Sequence, residues 1–130
     1  MALDPNFAVK PRSEGVSFST GNTSSTGTGT IQTLITGAAD GTLVFRVRIT
    51  ATANTTAGML RLFIAASGSY RLIEEINVDA LTKSATVKGF HTIKTFEGTG
   101  LILEYLQSLA VSTHNAEAFT AITEAGDFTL

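Results

Sequence analysis

The sequence has no cysteine, which removes disulfides, thiolate metal sites and thiol nucleophiles and leaves the redox compartment unreadable. Tryptophan is also absent and there are only two tyrosines, Tyr70 and Tyr105, so an aromatic platform for sugar rings has little to be built from. Charge is sparse: 15% of residues are charged, the net is −2, and no basic block occurs. That argues against a nucleic-acid partner held by phosphate neutralisation. No stretch approaches the ~18 apolar residues of a membrane span, and the first residues lack the apolar core of a secretion signal. The reading is a soluble protein made in the cytoplasm, with no membrane partner.

Catalytic and metal-binding patterns are equally scarce. The two histidines, His91 and His114, are far apart in sequence. A set of Ser112, His114 and Asp127 can be written down on paper, but no nucleophile elbow accompanies it. Asp40, Asp79 and Asp127 are scattered and match no calcium loop, and no His-x-x-x-His spacing occurs. The Gly/Ser/Thr segment 21–29 lacks the lysine and the following helix of a phosphate-binding loop and reads as a mobile loop. Glu74 and Glu75 are adjacent, so on a strand they face opposite ways and cannot act as a side-by-side acid/base pair. No enzyme, cofactor or metal site is expected.

The chain is instead rich in strand and turn residues, with 21 threonines and 12 glycines against two prolines. In 42–52 the residues Leu43, Phe45, Val47, Ile49 and Ala51 alternate with Val44, Arg46, Arg48, Thr50 and Thr52, the period of a strand with one buried face. Segment 58–65 is apolar at almost every position, which fits a strand covered on both faces or one covered by another subunit. Ser67, Gly68 and Ser69 turn it into 70–78, making a β-hairpin. Further strands are expected at 16–19, 30–36, 85–96 (with a bend at Gly89) and 118–124. Segment 101–109 has a competing helical spacing in Ile102, Tyr105, Leu106 and Leu109, but its flanking glycine favours strand, turn, strand.

About eight strands at short intervals in 130 residues predict one all-β domain, an antiparallel β-sandwich or jelly roll, over 15–130. Residues 1–14, with Pro5 and Pro11, read as an extended N-terminal arm that lies on its own domain or reaches a neighbour. Val44, Phe63, Ile73, Phe90 and Phe96 fall opposite the expected core positions of their strands. Either a partner covers them or the sandwich buries both faces. Candidate partner-contacting residues are therefore Phe7, Val9 and Pro11 of the arm and Phe63, Phe90 and Phe96 of the domain.

The segments 52–64, 70–76 and 84–87, Ser112 to Phe119 (STHNAEAF) and Gly126-Asp127-Phe128 together resemble small structural proteins of tailed-bacteriophage particles, of the capsid decoration or cement type. The resemblance implies a homotrimeric β-sandwich subunit on the outer surface of the virion capsid, bound where major capsid protein subunits meet and anchored by the arm. A tail- or fibre-associated β-structural protein and a host-surface or carbohydrate-binding module are the alternatives it leaves open.

Overall fold

The computed structural model describes residues 9–98 and 100–129. Among them are nine strands and no helix: β1 (Val9–Phe18), β2 (Gln32–Thr36), β3 (Thr42–Ala51), β4 (Gly58–Ala66), β5 (Ser69–Val78), β6 (His91–Thr95), β7 (Leu101–Leu103), β8 (Ser108–Thr113) and β9 (Phe119–Phe128). They form two antiparallel sheets. In the first the order is β1-β9-β3-β6, and β7 continues the line of β6 along the other half of β3. In the second it is β2-β8-β4-β5. If β6 and β7 are counted as one broken strand, the chain passes between two four-strand sheets in the order of a jelly roll, the expected fold.

Leu60, Leu62, Leu109 and Val111 of one sheet face Val44, Val47, Ile49 and Ala121 of the other in the core. Phe119 closes one end, stacked on Phe18 at 5.4 Å and meeting Phe90 edge-on at 6.4 Å, arrangements that favour aromatic pairs beyond their area alone. Each open side of the sandwich is also tied. On the β1/β2 side, Arg12 Nη1 donates to the Thr36 carbonyl at 2.8 Å and to Asp127 Oδ1 at 3.2 Å. On the β5/β6 side, Lys94 Nζ lies 2.7 Å from Glu74 Oε2. Glu75 faces the other way, to Arg61, so the two glutamates diverge as adjacent strand residues must.

The central strand departs from its expected phase. Val47, Ile49 and Ala51 are buried as the alternation predicts, but Val44, expected outside, is fully buried, while Phe45, expected inside, is 40% exposed. The cause is a bulge: the register against β9 runs Val44↔Ala125 and then Arg46↔Glu124, leaving Phe45 unpaired. One inserted residue reverses the face of everything before it. The hairpin β4–β5 turns at Ser67 and Gly68, both with positive φ, the two-residue geometry that matches strand twist.

Residues 9–14, read as part of an arm, belong to β1 and pair in unbroken register with β9 from Val9↔Phe128 to Phe18↔Phe119. Pro11 is compatible with this because β1 is an edge strand and needs no outward donor. Segment 85–96 is strand only over His91–Thr95. Residues 101–113 are strand, turn, strand, as expected.

Candidate functional site

No group of three or more His, Asp or Glu side chains suited to a metal ion occurs among the described residues. The paper set of Ser112, His114 and Asp127 does not assemble. Ser112 is buried in β8 with its Oγ unpartnered. His114 lies beside Arg61, with Arg61 Nη1 3.2 Å from its Nδ1. Asp127 sits in the other sheet, accepting from Thr42 Oγ1 at 2.7 Å and from Arg12. Burial works against the Arg12 charge, but the hydrogen bonds to Glu14 and Asp127 outweigh it and raise its pKa above the ordinary value. These groups are structural ties.

The candidate partner residues separate in the same way. Phe7 lies outside the described residues. Val9 is in β1 opposite Phe128, and Pro11 is exposed opposite Gly126. Phe63 is fully buried and Phe90 is 5% exposed, and Phe96 packs against the core with Lys94 Nζ 5.9 Å from its ring centre. Of the two alternatives, burial within the chain accounts for Phe63 and Phe90, while Phe96 is half-buried.

Over Phe63 lies Tyr70, whose ring meets it edge-on at 6.3 Å, with Gly27 of the Gly/Ser/Thr segment packed against the Tyr70 backbone. Phe63 and its register partner Ala110 lie on the outer face of the second sheet, with no exposure. Segment 19–31 crosses that face: Asn22 N donates to the Thr113 carbonyl at 2.8 Å, and Arg61 Nη1 reaches the Asn22 carbonyl at 3.4 Å. The segment does not fit the mobile loop expected, because Asn22 Nδ2 donates to the carbonyls of Thr28 and Thr30 and Asn22 Oδ1 accepts from Ser24 N. Such side-chain bonds replace the ladder a loop lacks.

What remains open is the outer face of the first sheet, the edge strand β5 with Leu72 and Ile73 at 37% and 40% exposure, and the two ends of the sandwich. Across that face Ile122, Arg48 and Ile93 stand in one row, and Glu124 faces Arg46 in the next. Arg48 Nε donates to Glu124 Oε1 at 2.7 Å and Arg46 Nε lies at 3.1 Å from the same oxygen. The Arg48 hydrogen bond, with the charges of both arginines, holds the Glu124 carboxyl below the usual glutamate range. Ile93 and Ile122 are 50% and 39% exposed.

The most exposed large apolar side chains are Ile102, Tyr105 and Leu106, in and beside the β7–β8 turn. Sequence reasoning missed them as surface, although their failure to fit strand alternation was a signal. Leu106 has φ +68° at a turn position that suits glycine. A leucine held there carries strain of about 1 kcal/mol.

No protein-family model matches this sequence, and no curated protein matches it. Among solved structures, 98% of the chain superposes on 92% of a chain in the cyanophage Pam1 capsid asymmetric unit, with 16% identity and a TM-score of 0.50. It also superposes over 98% of its length on a chain of the T13 IBDV viral particle, at 13% identity and a TM-score of 0.43, spanning about a third (35%) of that chain. At 16% identity the first likeness is one of fold alone: the chain shares a β-sandwich with that chain.

Proposed function

We propose that this protein is a structural component of a virus particle, a capsid decoration or cement protein that binds the outside of a phage head. It would act as a homotrimer, stabilising contacts between major capsid protein subunits by burying surface, with no bond made or broken. One observation carries the reading: a jelly-roll order of two four-strand sheets, in a chain that superposes over 98% of its length on a chain of similar size in a phage capsid asymmetric unit. The architecture suits the task. A protein that binds only the assembled shell stabilises it by mass action, and the ties at both open sides of the sandwich keep its surfaces fixed while it does so.

Electron microscopy of the virion that contains this chain tests the proposal. The expected map has the sandwich repeated over the outer surface of the head, in fixed ratio to the major capsid protein. Density at a single vertex or along the tail would move the protein to the tail or fibre class and end the decoration reading, as would saturable glycan binding by a protein missing from the particle. For the arm, removal of residues 1–8 leaves β1 whole and should abolish attachment to the head. Retained attachment would refute its anchoring role.

A further inference from the structure

The two ends of the sandwich carry opposite charge, and apart from Arg48, which pairs with Glu124, these charges find no ion pair among the described residues. At the end where β3 begins, a concavity of about 380 Å³ contains Asp40, Glu104, Ile102 and Tyr105, with no cationic residue in its lining. Leu106 projects from the same turn and is 65% exposed. Where β3 finishes, a groove of about 350 Å³ is lined by Arg48, Lys83, Lys88 and His91, with no carboxylate in its lining. Exposed Leu81 and Val87 lie on the same connection as its lysines. None of Asp40, Glu104, Lys83 and Lys88 forms an ion pair among the described residues. A ten-residue strand separates the two ends by roughly 30 Å, so they cannot meet in one molecule.

We infer that they meet between molecules: the acidic, apolar tip of one copy docks into the basic groove of the next. The occupant is a second copy of this chain because each surface finds there the charge it lacks, with apolar side chains beside it to be covered. Leu106 supports the assignment independently. A glycine would relieve the turn, so the side chain is kept at a penalty to folding, and its exposure leaves it no role inside its own subunit. The contact joins two different patches, so it is head to tail, and it builds a closed ring when the rotation between copies closes. This names the surfaces for the self-association proposed above, but it does not depend on attachment to a capsid.

Light scattering of the purified full chain from micromolar to several hundred micromolar tests it. The wild type should associate, and less so at high salt because the charges are screened. D40K/E104K and K83E/K88E should each be monomeric and folded by circular dichroism, since all four positions are exposed. The quadruple variant, with both ends reversed, should associate again. Leu106→Gly should weaken association about tenfold while raising the melting temperature. A wild type that stays monomeric throughout, single-end variants that still associate, a folded quadruple variant that does not, or an L106G protein that loses stability would each overturn the inference. A monomer in solution found on virions would leave the decoration reading standing, and an oligomer absent from virions would leave this one.

Discussion

The outer faces of the two sheets are built from similar strands and have opposite fates. On β4, Arg61 and Phe63 point outward and are buried at 8% and 0% exposure, Arg61 against Asn22 of segment 19–31 and Phe63 under Tyr70, on which Gly27 of that segment packs. On β3, Arg48 and the bulged Phe45 point outward and stay open, Arg48 with nearly half of its side chain in water. A buried guanidinium needs partners, and Arg61 has three: Glu75 at 3.1 Å, His114 and the Asn22 carbonyl. Arg48 and Arg46 share one exposed carboxylate. The comparison separates surface sealed for stability from surface left free for contact.

The sharpest way to break the comparison is to truncate the same residue type on each face. Phe63→Ala should cost about 3–5 kcal/mol, because a buried ring is removed and the residues above cannot fully collapse into the space. Phe45→Ala should cost less than about 1 kcal/mol, since its ring is 40% exposed. Urea denaturation at constant m-value measures both. Equal losses would mean that Tyr70 and segment 19–31 do not seal the β4 face in solution.

A finer test concerns the loop alone. Gly27 has φ +92°, and a Cβ placed there would lie 2.6 Å from the Tyr70 carbonyl oxygen, whereas Gly98 has φ +71° with nothing within 4 Å. Gly98→Ala carries only the left-handed backbone penalty, about 1 kcal/mol. Gly27→Ala adds a backbone collision that no rotamer relieves and should cost about 2 kcal/mol or more, with faster proteolysis at 19–31. Matching losses for the two would show that the loop stands off the sheet.

Much of the fold was legible because alternation and turn chemistry are local. The β4–β5 hairpin, its Ser67-Gly68 turn and the strand, turn, strand of 101–113 needed only neighbouring residues. The misreadings share a long-range cause. The continuous apolar run of β4 correctly indicated cover on both faces, but nothing local told that part of the cover comes from a polar segment some 40 residues earlier in the chain. The Phe45 bulge has no glycine or proline to mark it, since the extra residue is defined against β9, so Val44 and Phe45 exchanged faces unannounced. For the surface, large aromatics drew attention as contact residues, yet they are the side chains a small domain most needs inside. The exposed tip at Ile102, Tyr105 and Leu106 is distinguished by a backbone angle that composition does not reveal.

The smallest expected effect comes from the open face itself. Glu124, held below the ordinary glutamate pKa chiefly by the Arg48 hydrogen bond, favours its charged form in the folded state. A depressed carboxyl contributes stability that is present above the unfolded value and lost as pH falls through the folded one. Wild type should therefore be slightly more stable than Glu124→Gln at neutral pH, and the difference should be lost in acid as pH falls through the folded value, below the ordinary glutamate range, and shrink in about 0.5 M salt. Arg12 supplies a contrast, because its raised pKa keeps it charged throughout this range and its bond across to the second sheet goes to the Thr36 carbonyl, which does not titrate. Thermal denaturation of the two proteins against pH reads the difference directly. If it persists unchanged in acid and in salt, the exposed cluster acts through packing, and the β3 face is closer to the sealed β4 face than its exposure indicates.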